Sequence, residues 1–248
     1  MISKYTVMLC GMILLFPILT VSAPLTFGTV EELPPYSFIK NNKLVGIDID
    51  IAQEIFKRWG KEITIKGFPW ARLKLELEVG ELDGIVALYL EESHSLARVL
   101  DTSIPMYRSK VKIFSLSNKN LKVTSLSDLN GRAVGIIRGY EYGFEEIDKS
   151  QNFRKNEVAI DKQLVGMLHL GRIDVAIIEE LPFLNYAREL GLKGQFKSVY
   201  TLSEWPIRMG FSNRQLGAES YKMAKEVSEI IKQMEKEGTI QKIKNRYQ

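Results

Sequence analysis

The sequence predicts an α/β protein with largely parallel sheets. Two observations carry this expectation. Short β-like runs alternate with helical patterns, and the alternation starts afresh near Ser117. The 248 residues suffice for two modest domains or one large one.

Leu25 to Val30 opens as a strand. From Asp48 to Trp59 the apolar positions Ile51, Ala52, Ile55, Phe56 and Trp59 recur at helical spacing, with Asp48 as N-cap and Gly60 as C-cap. Ile63 to Lys66 alternates like a strand. Trp70 to Val79 is helical and stops at Gly80, and Asp83 to Leu88 is again a strand. After the polar, turn-rich Ser125 to Gly131, a strand is expected over Ala133 to Ile137. Helical patterns follow at Tyr142 to Lys149 and Lys162 to Leu170. Asp174 to Glu179 is a strand and Leu181 to Leu190 a helix. The last third holds a strand, Ile207 to Ser212, then a long helix through Ala224, Val227, Ile231 and Met234. Gly238 breaks it before a short final helix with Ile240, Ile243 and Tyr247.

Composition bounds the function. The 34 basic and 30 acidic residues leave a net charge of only +4 and no block of like charges, which argues against a nucleic-acid surface. The first 23 residues read as an export signal: Lys4, an apolar run of about 17 residues from Tyr5 to Val21, and the small residues Val21-Ser22-Ala23. A membrane anchor is the competing reading, but the run is at the lower limit for spanning and no stop-transfer basic cluster follows. Pro24 is unfavourable just after the cut, so the cleavage position stays open. Cys10 is the only cysteine, so the mature chain would hold no thiol, no disulfide and no Cys-based metal site. His94 and His169 have no metal spacing, and no G-x-S-x-G elbow is present. Asp48 and Asp50 form a D-x-D pair, better explained as carboxylates in a first helical turn than as metal ligands. No metal and no cofactor is expected.

Three stretches in order resemble the family 3 bacterial extracellular solute-binding proteins. They are Pro34-Pro35-Tyr36-Ser37-Phe38 with Gly46-Ile47-Asp48-Ile49-Asp50, then Leu126 to Gly135, then Gly238-Thr239-Ile240-Gln241-Lys242-Ile243. Gly80-Glu81-Leu82-Asp83 and Gly171-Arg172-Ile173-Asp174 match the family's two G-x-x-D strand starts. The resemblance implies a periplasmic binding protein-like fold, with two α/β lobes joined by a two-strand hinge and a ligand cleft between them. Lobe 1 would be 24–113 plus 206–248 and lobe 2 would be 114–205, with crossovers near 112–116 and 202–206. It also implies a periplasmic, monomeric receptor that closes on a small polar solute and hands it to the permease of an ABC importer.

The resemblance places candidate ligand residues. Tyr36 would form a cleft wall, and Trp70 either a wall or a helix core position. Gly139, Tyr140 and Glu141 would offer backbone amides to an anionic group at a helix start. Glu179 ends an apolar strand where the family places an acid for the ligand's ammonium, with N-capping of the next helix as the competing role and Glu180 as fallback. The family's carboxylate-binding Arg falls at Ser95 or Leu96, where this sequence has none. Arg98 and Arg72 are the substitutes, the latter against a solvated-helix reading. Two other functions stay open: a same-fold enzyme of the cyclohexadienyl dehydratase kind, using Glu179 as acid or base, and a module presenting ligand to a membrane sensor.

Overall fold

The computed structural model describes residues 24–89, 96, 100–140 and 142–247. The expected leader, His94, Ser95, Arg98 and Glu141 lie outside the described residues. The first half of the chain lays down β1 (Leu25–Val30) and a small sheet of β2 (Glu32–Leu33), β3 (Ser37–Lys40) and β4 (Lys43–Val45). Then come α1 (Ile47–Trp59), β5 (Ile63–Phe68), α2 (Trp70–Val79), β6 (Gly84–Tyr89) and β7 (Leu100–Thr102). A long strand, β8 (Tyr107–Leu116), leads to β9 (Ala133–Ile137), α3 (Glu145–Asp148), β10 (Arg154–Val158), α4 (Asp161–His169), β11 (Val175–Glu179) and α5 (Glu180–Glu189). The chain returns along β12 (Phe196–Ser212) and ends in α6 (Asn213–Leu216), α7 (Glu219–Lys236) and α8 (Thr239–Asn245).

The main sheet runs β10-β9-β11-β8-β12-β6-β1-β5, with β7 also on β12. It consists of two parallel halves, β5-β1-β6 and β10-β9-β11. The antiparallel ribbon of β8 and β12 joins them, paired from Leu116 and Phe196 to Tyr107 and Ile207. β11 pairs with β8 from Val111 onward, and β6 pairs with β12 from Ile207 onward. Between those limits the ribbon has no flanking strand from either half among the described residues. Each half has its own core on both faces. In lobe 1, α1, α7 and α8 cover one face through Ile55, Ile231 and Ile240, and α2 covers the other through Leu73 and Leu77. In lobe 2, α4 and α5 pack through Leu164 and Phe183, and the opposite face closes over Leu129, Val134 and Ile147.

Both G-x-x-D motifs do the same mechanical work. Asp83 Oδ2 accepts from the Thr26 amide at 2.8 Å while the Asp83 amide donates to the Thr26 carbonyl at 2.9 Å. Asp174 repeats this with Ala133, at 2.8 and 2.7 Å. Each aspartate thus locks a strand beside the first strand of its lobe. Gly84 then lets β12 approach: a Cβ there would stand 2.3 Å from the Gly210 carbonyl oxygen.

Three expectations need correction. Asp48 is not the N-cap of α1; Gly46 is, and Asp48 lies buried in the first turn. No helix spans 142–149. The Asp148 carboxylate instead accepts from the amides of Tyr142, Gly143 and Phe144 and reduces the helix to the single turn α3. A helix start that could offer amides to an anion is therefore absent there. The strand expected over 207–212 extends back to Phe196, because its polar first half is supported by β8 rather than by burial.

Candidate functional site

The carboxyl ends of the parallel strands in the two halves carry the polar groups of interest, the usual ligand position in open α/β sheets. In lobe 1 the arrangement starts from Gly46, whose φ of 135° suits glycine. A Cβ at Gly46 would stand 2.1 Å from the Tyr36 carbonyl oxygen. The bare backbone allows the amides of Ile47 and Asp48 to donate to the carbonyls of Pro35 and Tyr36, at 3.0 and 2.9 Å. The opening motif is therefore a clamp that fixes Tyr36 and Asp48 side by side.

From that clamp a chain of hydrogen bonds crosses to lobe 2. Ser109, on the ribbon, donates to Glu179 Oε2 at 2.7 Å. With its proton so committed, Ser109 accepts from the Tyr36 hydroxyl at 2.9 Å. The Tyr140 hydroxyl donates to Glu179 Oε1 at 3.1 Å. Tyr107 stacks on Tyr36, ring centres 6.0 Å apart, and donates to Asp48 Oδ1. Lys244 Nζ, from α8, lies 5.0 Å from the Tyr107 ring centre. Glu179 is 6% exposed and its backbone is the N-cap of α5, yet its side chain makes no capping bond. The capping role is thus excluded. Glu180 is committed to Lys112 at 2.5 Å.

Charge is concentrated here. Burial pushes the Asp48 carboxyl up to about 7; the Tyr107 hydrogen bond opposes this, the charge of Glu179 adds to it, and Lys244 opposes it. Burial, then the charge of Glu179, also pushes Asp161 up to about 7. Burial and then Glu179 raise the hydroxyls of Tyr36 and Tyr140 well above the usual tyrosine value, and burial and then Asp48 do so for Tyr107. All three remain donors at neutral pH. Tyr140 is 42% exposed overall although its hydroxyl end is dehydrated.

Of the sequence candidates, the structure brings together Tyr36, Tyr140 and Glu179, with Gly139 in the turn before Tyr140. Trp70 is 41% exposed, with Lys74 Nζ 5.4 Å from its ring centre, so the helix-core reading fails. Arg72 has a side chain 63% exposed and is paired with Glu76. Neither Trp70 nor Arg72 contacts the Glu179 cluster. Leu96, one of the two positions for the family's Arg, is 2% exposed and belongs to the α2-side core. Sequence reasoning missed Ser109, Tyr107 and Asp161 and gave Asp48 the wrong role. Asp161 had a signal, an acid at the start of a helix that follows a strand. Ser109 and Tyr107 had only the alternation of a strand that was not recognised.

A cavity of about 330 Å³ opens between the lobes, lined by Pro35 and Tyr247 on one side and Leu181, Leu184 and Arg188 of α5 on the other. A larger groove of about 580 Å³ lies on lobe 1 alone, between α1 and β5, and touches none of the cluster. Among the described residues there is no group of three metal-ligating side chains and no helix long and apolar enough to cross a membrane.

The sequence profile of the bacterial extracellular solute-binding proteins, family 3, matches residues 25–248. The chain belongs to that family. Among relatives of this family 3 protein, the arginine-binding extracellular protein ArtP of Bacillus subtilis is 24% identical over 229 residues, 90% of this chain and 85% of the relative. The L-cystine-binding protein TcyJ of Escherichia coli K12 is 24% identical over 231 residues, 90% and 82% of the two chains. Among solved structures, a histidine kinase sensor domain with similarity to periplasmic binding proteins superposes with a TM-score of 0.74 at 19% identity, covering 91% of this chain and 96% of the other. The ancestral amino acid-binding protein AncCDT-1, a precursor of cyclohexadienyl dehydratase, gives 0.71 at 20% identity, covering 90% and 95%. These likenesses fix the fold of the family 3 chain as periplasmic binding protein-like.

Proposed function

We propose that this protein is an exported receptor whose lobes, residues 24–113 with 206–248 and residues 114–205, close on a small amine-bearing solute. The observation that carries the reading is the buried Glu179 carboxylate, which stands at the carboxyl end of a lobe-2 strand and is linked through Ser109 to Tyr36 of lobe 1. A buried carboxylate ringed by the hydroxyls of Ser109 and Tyr140 at a strand's carboxyl end suits the ammonium of a cationic guest. Tyr36, Tyr140 and Glu179 contact the solute; Gly139, Trp70 and Arg72 border the cleft, and Arg98 and Glu141 complete the set of assigned positions. Relatives that bind arginine and cystine support an amino acid or related compound, delivered to an ABC importer.

The test is calorimetry against amino acids and amines with wild type and Glu179→Gln. Loss of one charge-assisted contact predicts a drop of roughly 100-fold in affinity for amine ligands. Equal affinities in the two proteins would remove Glu179 from the site. The likeness to a kinase sensor domain favours a second destination for the same closure, a membrane signalling partner. Co-purification with a permease or with a sensor separates the two.

A further inference from the structure

Helix α5 of lobe 2 reaches lobe 1. It starts at Glu180, directly after Glu179, and its first turn is tied to the ribbon by the Lys112–Glu180 ion pair at 2.5 Å. The next residue, Leu181, packs against the apolar core of lobe 1. Every other residue of that core lies at or before Tyr107 or at or after Ile207, so among the described residues Leu181 is its one member from lobe 2. Leu181 belongs to neither apolar cluster of lobe 2, so lobe 2 keeps its own core when that contact breaks. The facing surface on lobe 1 is fixed. The Pro35 carbonyl accepts from the Ile47 amide at 3.0 Å. Tyr247 donates to Asp50 Oδ2 at 2.9 Å, and Arg246 pairs with the same oxygen at 3.0 Å. Burial and then the charge of Lys110 lower the Lys244 amine, while the charges of Asp48 and Glu180 oppose this, so a cation of α8 lies in the field of the first residue of α5. The seam is not filled. A cavity of about 330 Å³ remains between Pro35, Tyr247 and α5, and Leu184 on its wall is 42% exposed. A contact this small can break without unfolding either lobe.

We propose, resting on the two-lobe reading above, that this seam is a clasp: Leu181, docked beside Pro35 and Tyr247, holds the lobes in the arrangement seen here without a guest. Because α5 follows Glu179 with no linker, the docked helix also keeps Glu179 at Ser109 and Ser109 at Tyr36. A guest then meets a site already assembled, which lowers the ordering cost of binding. The clasp acts against the cost of bringing Asp48 near Glu179, so the empty protein exchanges between clasped and unclasped arrangements.

The experiment measures the distance between the lobes in the ligand-free protein. Cys10 is the only cysteine, so in a Cys10→Ser background Lys40→Cys in lobe 1 and Lys193→Cys in lobe 2, both at exposed positions, carry two spin labels. Double electron–electron resonance on this background should show a short distance as the main population. Leu181→Ala and Tyr247→Ala act from opposite sides of the seam. Each should move the ratio of short to long distances roughly tenfold towards the long one, the scale set by losing a partly buried apolar side chain. Thermal melts of both variants control for folding. A wild-type background already dominated by the long distance overturns the clasp, and so does an unchanged ratio in either variant. Neither outcome touches the receptor reading, which stands or falls on calorimetry with Glu179→Gln.

Discussion

Replacing Asp48 by Asn tests the electrostatics of the cleft directly. In the folded protein this carboxyl is pushed up to about 7, against roughly 3.9 in an unfolded chain. Between those values the folded state holds a proton that the unfolded state has lost. Stability therefore falls as pH rises through this window, the reverse of a salt-bridged aspartate. Integrated from pH 5 to pH 8, the loss from this one group is about 2–3 kcal/mol, equivalent to roughly 5–10 °C in a protein of this length. The isosteric amide still accepts the Tyr107 hydroxyl and cannot ionise. Urea melts of the ligand-free protein at pH 5 and pH 8 should show wild type losing stability with rising pH. Asp48→Asn should lose about 2–3 kcal/mol less. Asp161 contributes with the same sign, so the variant keeps a residual slope. An unchanged slope, or a variant less stable than wild type at pH 8, would refute the claim that Asp48 ionises at a cost in its buried position.

Leu96→Arg places a guanidinium at a position where the family's Arg would fall. Because the side chain occupies core against α2, the change should cost about 3 kcal/mol or more in urea denaturation and should not create carboxylate binding by calorimetry. Gly84→Ala should lower the urea midpoint by the equivalent of about 2–4 kcal/mol, since its Cβ would meet the Gly210 carbonyl and the Phe27 ring at 2.3 and 2.4 Å. A neutral outcome would mean that β6 and β12 can separate without loss.

The parallel strands were legible because both of their faces are covered, which writes them as apolar runs such as Val175 to Ile178. The ribbon was not. Tyr107-Arg108-Ser109-Lys110 alternates without a clear apolar face, since the inward-facing Ser109 meets the polar groups of Tyr36 and Glu179 rather than apolar side chains. Glu179 was legible for the same reason that Ser109 was not: a lone acid at the end of an apolar run conflicts with its surroundings, and a serine on a polar strand does not. Asp48 shows a limit of another kind. Two aspartates in a first turn read as dipole partners, and Asp50 behaves so, facing Arg246 at 3.0 Å on the surface. Only the packing of Gly46 on Tyr36 turns Asp48 inward, and that depends on a contact ten residues away.

Asp48 belongs to lobe 1 and Glu179 to lobe 2, and the charge of Glu179 raises the cost of ionising Asp48. Bringing the lobes together without a guest therefore crowds two carboxylates in a place with little water. Tyrosine and serine hydroxyls, whose donors reach both acids, offset part of that cost. On the receptor reading, a cation between the lobes offsets more of it, because an added positive charge favours both carboxylates in a medium that screens it weakly. On that reading the same pair of charges disfavours the empty closed form and favours the loaded one. That difference is what a ligand needs in order to drive an equilibrium between open and closed states, since affinity common to both states moves nothing.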